Sequence, residues 1–192
     1  MEFFCYHRDR SRSAALRAEL LEDHWSYMDQ YAEQLIARGP TLTSDGGAAT
    51  GSVHIVELPD PAAARAFAFD EPNYQAGVYR DVMLRRWRNM LGRTMWEFPG
   101  GETEDPLYLV LGLGTRPPDA DPHDAGPGST CDRDDLIAYG PLLSDDGDTW
   151  LGTGVLLRAP DPATARTVLT SHRHHRYTDI EVHDWYFGGR PQ

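Results

Sequence analysis

Leu35-Ile36-Ala37-Arg38-Gly39-Pro40 returns as Leu136-Ile137-Ala138-Tyr139-Gly140-Pro141. The residues after each copy keep the same register without a gap. Thr50-Gly51-Ser52-Val53 aligns with Leu151-Gly152-Thr153-Gly154, and Pro59-Asp60-Pro61-Ala62 with Pro160-Asp161-Pro162-Ala163. Tyr79-Arg80-Asp81-Val82 matches Tyr177-Thr178-Asp179-Ile180 after a short deletion in the second copy. A unit of this length is too long for a solenoid repeat and suits a small domain. The chain therefore reads as a tandem repeat of two halves sharing one body.

Working outward from the repeat, Glu2 to His7 reads as a first strand, short, aromatic-rich and ended by charge. Ser13 to Arg38 is predicted as one long helix, with Leu16, Leu20, His24, Tyr27, Tyr31 and Leu35 on one face. Gly39 and Pro40 are then its stop. Next come a short strand at Thr41 to Thr43, a turn at Ser44-Asp45-Gly46-Gly47 and a β-branched strand at Gly51 to Leu58. Asp60 is a candidate N-cap, with Pro61 in the first turn of a helix that ends near Phe69. Tyr79 to Trp87 is the last strand. The second copy is predicted to place strands at Leu107 to Gly114, Pro141 to Leu143, Gly152 to Ala159 and Tyr177 to Phe187. Its helices are predicted near Asp132 to Tyr139 and at Asp161 to Thr170. Arg116 to Thr130, rich in Pro, Asp and Gly, is read as a loop.

Each half thus has the order β-α-β-β-α-β, an α+β, ferredoxin-like arrangement with helices on one face of an antiparallel sheet. The bare faces of the two sheets need covering, and packing sheet to sheet gives a pseudo-dimeric α/β barrel within one chain. Residues 1–88 are expected to form repeat 1, residues 89–106 a linker or strap containing Met95-Trp96-Glu97-Phe98 and a Pro99-Gly100-Gly101 hinge, and residues 107–192 repeat 2.

Composition narrows the function. The formal charge of −12 opposes a phosphate-rich partner, so neither nucleic acid nor an anionic membrane surface is expected. There is no lysine, which excludes Schiff-base chemistry and a lysine general base. Cys5 and Cys131 lie far apart without a CxxC spacing, so no disulfide framework or thiolate metal site is indicated. The amino terminus lacks the basic flank and apolar run of a signal peptide, and a reduced, cytoplasmic setting is the expectation. The fused halves make a monomer self-sufficient, and further homodimerisation is compatible with it. Ser171 to Arg176 contains three histidines, but adjacent ring positions in a loop lack metal-ligand spacing, and no metal is expected.

Three features of the first half resemble the YCII-related (YciI-like) family: Glu22-Asp23-His24-Trp25 on a helix after the first strand, Gly39-Pro40 with its glycine-rich hairpin, and Asp70-Glu71-Pro72-Asn73-Tyr74-Gln75-Ala76-Gly77-Val78-Tyr79. The resemblance spans nearly all of Met1 to Trp87; the second half shares only its Gly-Pro, hairpin and Pro-Asp-Pro elements. It implies a small ferredoxin-like protein that builds such barrels, with the helix histidine and the acid before the proline as the catalytic pair. Here these are His24 and Glu71. The family usually has Asp before that proline, so Asp70 is the alternative partner; Glu71 is favoured because it aligns without a gap.

The residues point the same way. His24 occupies an apolar stripe where leucine would pack better, the plainer alternative being a core histidine bonded to a carbonyl. A carboxylate beside it would favour the protonated ring and suit proton transfer without a cofactor. Tyr6, Tyr27, Tyr31, Tyr74 and Tyr79 are candidate walls for a flat substrate, most of them being equally at home in a core. Asp81, inside an apolar strand, is a secondary candidate. His24 maps onto Ala125 and Glu71 onto His172, so repeat 2 reads as a degenerate half without the pair.

The expectation is a cofactor-independent lyase, isomerase or cyclase acting on an aromatic or polyketide-like small molecule. The alternatives are a non-catalytic small-molecule binding or regulatory module and an assembly partner using its sheet edges.

Overall fold

The computed structural model describes residues 1–100, 104–114, 132–170 and 177–189. The predicted loop from Arg116 to Thr130, the histidines of His172 to His175, Cys131, and the counterparts Ala125 and His172 lie outside the described residues. In chain order the elements are β1 (Glu2–Asp9), α1 (Ala14–Glu19), α2 (Leu21–Asp29), β2 (Leu35–Leu42), β3 (Ala49–Glu57), α3 (Pro61–Phe69), α4 (Pro72–Gln75), β4 (Tyr79–Trp87), β5 (Leu107–Gly114), β6 (Leu136–Leu143), β7 (Trp150–Arg158), α5 (Pro162–Thr170) and β8 (Tyr177–Trp185).

The strands close into one antiparallel barrel in the order β1-β3-β2-β8-β5-β7-β6-β4. At one seam Thr41 pairs with Trp185 and Leu42 with Asp184. At the other Leu142 pairs with Trp87 and Leu143 with Arg86. Each seam brings one copy of the repeated Gly-Pro against a tryptophan of the opposite half. A Cβ on Gly39 would collide with the Tyr186 carbonyl and stand 2.7 Å from the Trp185 ring; one on Gly140 would collide with the Arg88 carbonyl and stand 2.6 Å from Trp87. These glycines permit close approach of two strands.

That explains the main departure from the predicted elements. The stretch from Ser13 to Arg38 is not one helix: α1 and α2 end by Asp29, and Leu35 begins β2. Leu35, Ile36 and Ala37 are all buried, Leu35 toward the helices and the other two in the barrel. A run covered on both faces is a strand's pattern, indistinguishable by periodicity from the end of a helix. Gly39 is therefore no helix stop. The predicted helix from Asp132 to Tyr139 fails for the same reason and becomes a 3-10 turn, Arg133–Asp135, leading into β6. Met95–Glu97, within the expected linker or strap, is also a 3-10 turn. Met95 and Phe98 there pack against the barrel core.

On β1, Phe4 and Tyr6 point into the barrel while Phe3 and Cys5 face the helices. Phe4, Ile55, Leu109, Leu111, Leu156 and Trp185 fill the interior, as expected of a barrel this size. The space between the two sheets is thus a packed core, and a site must lie elsewhere. Outside it, α3 starts at Asp60, whose carboxylate accepts from the Ala63 amide at 2.8 Å, and buries Ala64, Phe67 and Ala68 against the sheet. Truncating Phe67 to Ala would cost about 3–5 kcal/mol. No helix among the described residues is long and apolar enough to cross a membrane.

Candidate active site

His24 and Met28, one turn apart, are the buried residues of α2, so the helix aims an imidazole at the outer face of the first-half sheet. Glu71 precedes Pro72, which favours extended backbone at Glu71 and opens α4 at its first position. Glu71 is consequently an N-cap: its Oε2 accepts from the Tyr74 amide at 2.8 Å. Its Oε1 lies 2.6 Å from His24 Nδ1. With both oxygens engaged and no solvent exposure, this carboxylate is held rigidly. Burial alone would raise its pKa, but the His24 hydrogen bond, the charges of His24 and His7 and the Tyr74 amide outweigh burial and hold it below the usual range. Glu71 is ionised at neutral pH. Its position fixes Nδ1–H as the donor, and no described residue bonds His24 Nε2.

Beneath the pair lies a polar layer that the strand alternation builds. His7 on β1 faces Ser52 on β3 in register, and Cys5 faces His54. His7 Nε2 donates to the Ala68 carbonyl at 2.8 Å, and Cys5 Sγ stands 3.6 Å from His7 Nδ1. The His54 ring centroid is 5.7 Å from that of His24 and 5.9 Å from that of His7. Burial pulls the His7 pKa down to about 4 against the Ala68 hydrogen bond. Burial, followed by the charges of His24 and His7, also holds His54 well below its ordinary value. Both rings are neutral at pH 7. Burial pushes the Cys5 thiol up, which removes it as a nucleophile.

His24 and His54 share the wall of a cavity of about 240 Å³ with Arg17, Trp25 and Arg38. Arg17 is tied down, donating to Asp9 Oδ1 at 3.0 Å and to Ser52 Oγ at 2.6 Å. The opposite wall comes from the other half: Phe187, Gly188 and Gly189 continue from β8 past Gly39, with the Gly188 amide donating to the Arg38 carbonyl at 3.0 Å.

Of the residues singled out in the sequence, His24 and Glu71 meet. Asp70 is exposed at the end of α3, and it is Glu71 that contacts His24. Tyr79 stacks on His7 at 4.5 Å, in the layer beneath the pair. None of the expected tyrosine walls, Tyr79 included, lines this cavity. Tyr6 is inside the barrel, 3.1 Å from Thr41 Oγ1. Tyr27 and Tyr31 pack around Phe67, and Tyr74 lies exposed against Phe69. Asp81 is exposed and paired with Arg8 and Arg80. Their spacing shows aromatic content but not which side of the sheet it reaches. His54, Arg17 and Arg38 escaped the sequence reading, although polar Ser52 and His54 at alternate positions of a strand covered on both faces was a usable signal. Among the described residues no group of three His, Cys, Asp or Glu could hold a metal ion.

The model of the YCII-related domain matches residues 1–88, so the resemblance read from the sequence holds for the amino-terminal half. No curated protein matches the chain. Among solved structures, a 5-chloro-2-hydroxyhydroquinone dehydrochlorinase from Burkholderia phenoliruptrix AC1100, in complex with 2,5-dihydroxybenzoquinone, aligns over 48% of this chain and 99% of its own at 26% identity and a TM-score of 0.45. A chlorite dismutase variant from Candidatus Nitrospira defluvii, in complex with cyanide, aligns over 96% of this chain and 90% of its own at 7% identity and a TM-score of 0.56. The second shares the fold along almost the whole chain.

Proposed function

We propose that this protein is a cofactor-independent enzyme that moves a proton on a small, single-ring metabolite, with His24 as the acid/base and Glu71 as the carboxylate that orients it. One observation carries the reading: His24 Nδ1 is held 2.6 Å from a buried, ionised carboxylate, while Nε2 stays uncommitted on a ring that lines a cavity. Such a ring is presented in one tautomer. Its Nε2 lone pair takes a proton from carbon or oxygen of the substrate, and Glu71 stabilises the imidazolium that forms. The electron pair left on the substrate then expels a leaving group or shifts a double bond, and His24 Nε2–H returns its proton to the leaving atom or to a new carbon. Elimination, isomerisation and cyclisation all fit this sequence. The cavity of about 240 Å³ has room for a substituted ring.

In this reading residues 1–88 are the site-bearing domain, residues 89–106 the strap, and residues 107–192 a related copy that has lost the pair but completes the barrel. Equivalent pairing at the two seams supports that relation. The test is exchange of a ring C–H of hydroxybenzoquinone with D2O, monitored by NMR. The wild type should accelerate it, and His24→Ala should lower the rate about 10²- to 10⁴-fold while the fold is retained. Equal rates for the two proteins across a panel of hydroxyquinones and cyclic 1,3-diketones would leave a binding module as the better account.

A further inference from the structure

The two arginines of the cavity differ. Both terminal nitrogens of Arg17 are engaged, by Asp9 and by Ser52 with the Gly51 carbonyl. Arg38 is not so held: its buried Nε has no hydrogen-bond partner, and its nearest carboxylate, Asp29 Oδ1, is 3.7 Å from NH1. That is beyond hydrogen-bond reach, and Asp29 is 41% exposed while Arg38 is 16% exposed. Arg17, by contrast, has its own carboxylate in contact, Asp9. Leaving a desolvated guanidinium short of acceptors is costly unless a ligand supplies them. His54, 2% exposed, adds a second unmet group on the same wall, because its buried Nδ1 has no partner.

We propose that the cavity takes a planar oxyanion, a carboxylate or an ionised enol on a single ring, with the Arg38 guanidinium and the His54 ring as its partners. Arg38 presents a planar fork suited to such an oxygen pair. Gly189 leaves space for that guanidinium: a Cβ there would stand 2.8 Å from an Arg38 terminal nitrogen. This assigns the charge class of the substrate and rests on the reading of the cavity as the reaction site. An oxygen anion held there puts positive charge beside the carbon from which His24 would take a proton, where negative charge develops.

The full-length protein is titrated calorimetrically with benzoate and 4-nitrophenolate, each against a neutral counterpart, benzamide and nitrobenzene. At least one anion should bind more tightly than its counterpart, and the preferred anion identifies the oxygen source. Arg38→Gln should weaken that anion about 10- to 100-fold and leave the neutral probe unchanged. Arg38→Lys, which keeps the charge but loses the fork, should fall between, and it guards against a folding defect in the Gln variant. His24→Gln should retain the preference for the anion. Loss of turnover in that variant with anion binding intact separates this inference from the catalytic one. Neutral probes binding as well as anions, no saturable anion binding in the millimolar range, or a preference that survives Arg38→Gln would overturn it.

Discussion

The outer faces of the two halves are built on the same frame and filled with opposite chemistry. In the first half β1 and β3 present Cys5, His7, Ser52 and His54 to the helices; at the matching pairs of β5 and β7 stand Val110, Gly112, Thr153 and Val155. Val110 and Val155 join Val168 and Leu169 in an apolar cluster. Where His7 lies beside Tyr79, Gly112 leaves a gap that Tyr177 fills, since a Cβ there would meet the Tyr177 ring at 2.5 Å. The Tyr177 hydroxyl, 3.0 Å from Thr153 Oγ1, is satisfied locally. The second half shows what this frame looks like when optimised for packing. The first half keeps buried histidines on this face, one of which, His54, has an unpartnered Nδ1, a cost expected where binding or catalysis retains it.

The largest effect that would break this contrast is on turnover. Glu71→Gln keeps the cap acceptor but removes the negative charge, and should lower kcat about 10²- to 10⁴-fold with little change in KM. A substitution in the second-half cluster such as Val168→Ala should lower Tm without a comparable loss of kcat.

Acid should act on the halves unequally. An unfolded histidine protonates near pH 6.5, whereas folded His7 does so only near 4 and folded His54 well below its ordinary value. The unfolded chain therefore binds more protons in that window, and stability falls as pH drops from about 6.5 toward 4. Glu71 acts in the same direction lower down, because stability from its depressed pKa is lost as pH falls through the folded value. Amide exchange at pH 5 should rise first in β1 and β3, and His7→Gln should flatten the slope of stability with pH.

The seams come next. Gly39→Ala and Gly140→Ala each force a Cβ into a carbonyl and a tryptophan ring, and each should cost about 1–3 kcal/mol by thermal unfolding. Only the first borders the cavity, so only Gly39→Ala should also weaken ligand binding. The smallest expected effect is an exchange of counterparts. His54→Val, which copies Val155, should be neutral or stabilising by about 1 kcal/mol because it removes an unmet buried nitrogen. A matching loss of stability in Val155→His would confirm that the difference belongs to the residues rather than to the frame.

Much of this is legible in the residues alone. Tyr79–Trp87 and Leu107–Gly114 form strands over the predicted residues, and Asp60 caps α3 through the Ala63 amide. These are local effects, set by alternation, β-branching and proline placement. The long helix fails because Leu35 to Ala37 has no periodicity of its own, and burial on both faces makes it a strand. His24 is legible as a polar residue on an apolar stripe. Arg38 is not, because nothing in its neighbours along the chain tells that Asp29 stands too far away to satisfy it.

By itself the chain determined its recurring Gly-Pro segments, its strands around the turns, and the histidine and glutamate that meet. Each depends on residue type and on spacing over a few positions. Only the tertiary structure decided that the barrel is filled and that the pair lies outside it, on a layer of neutral histidines. It alone brought Gly188 and Gly189 from the far end of the chain to complete the cavity. Which face of a sheet becomes core, and which distant segment covers the other, depends on strand order around a closed barrel, and no local pattern encodes that.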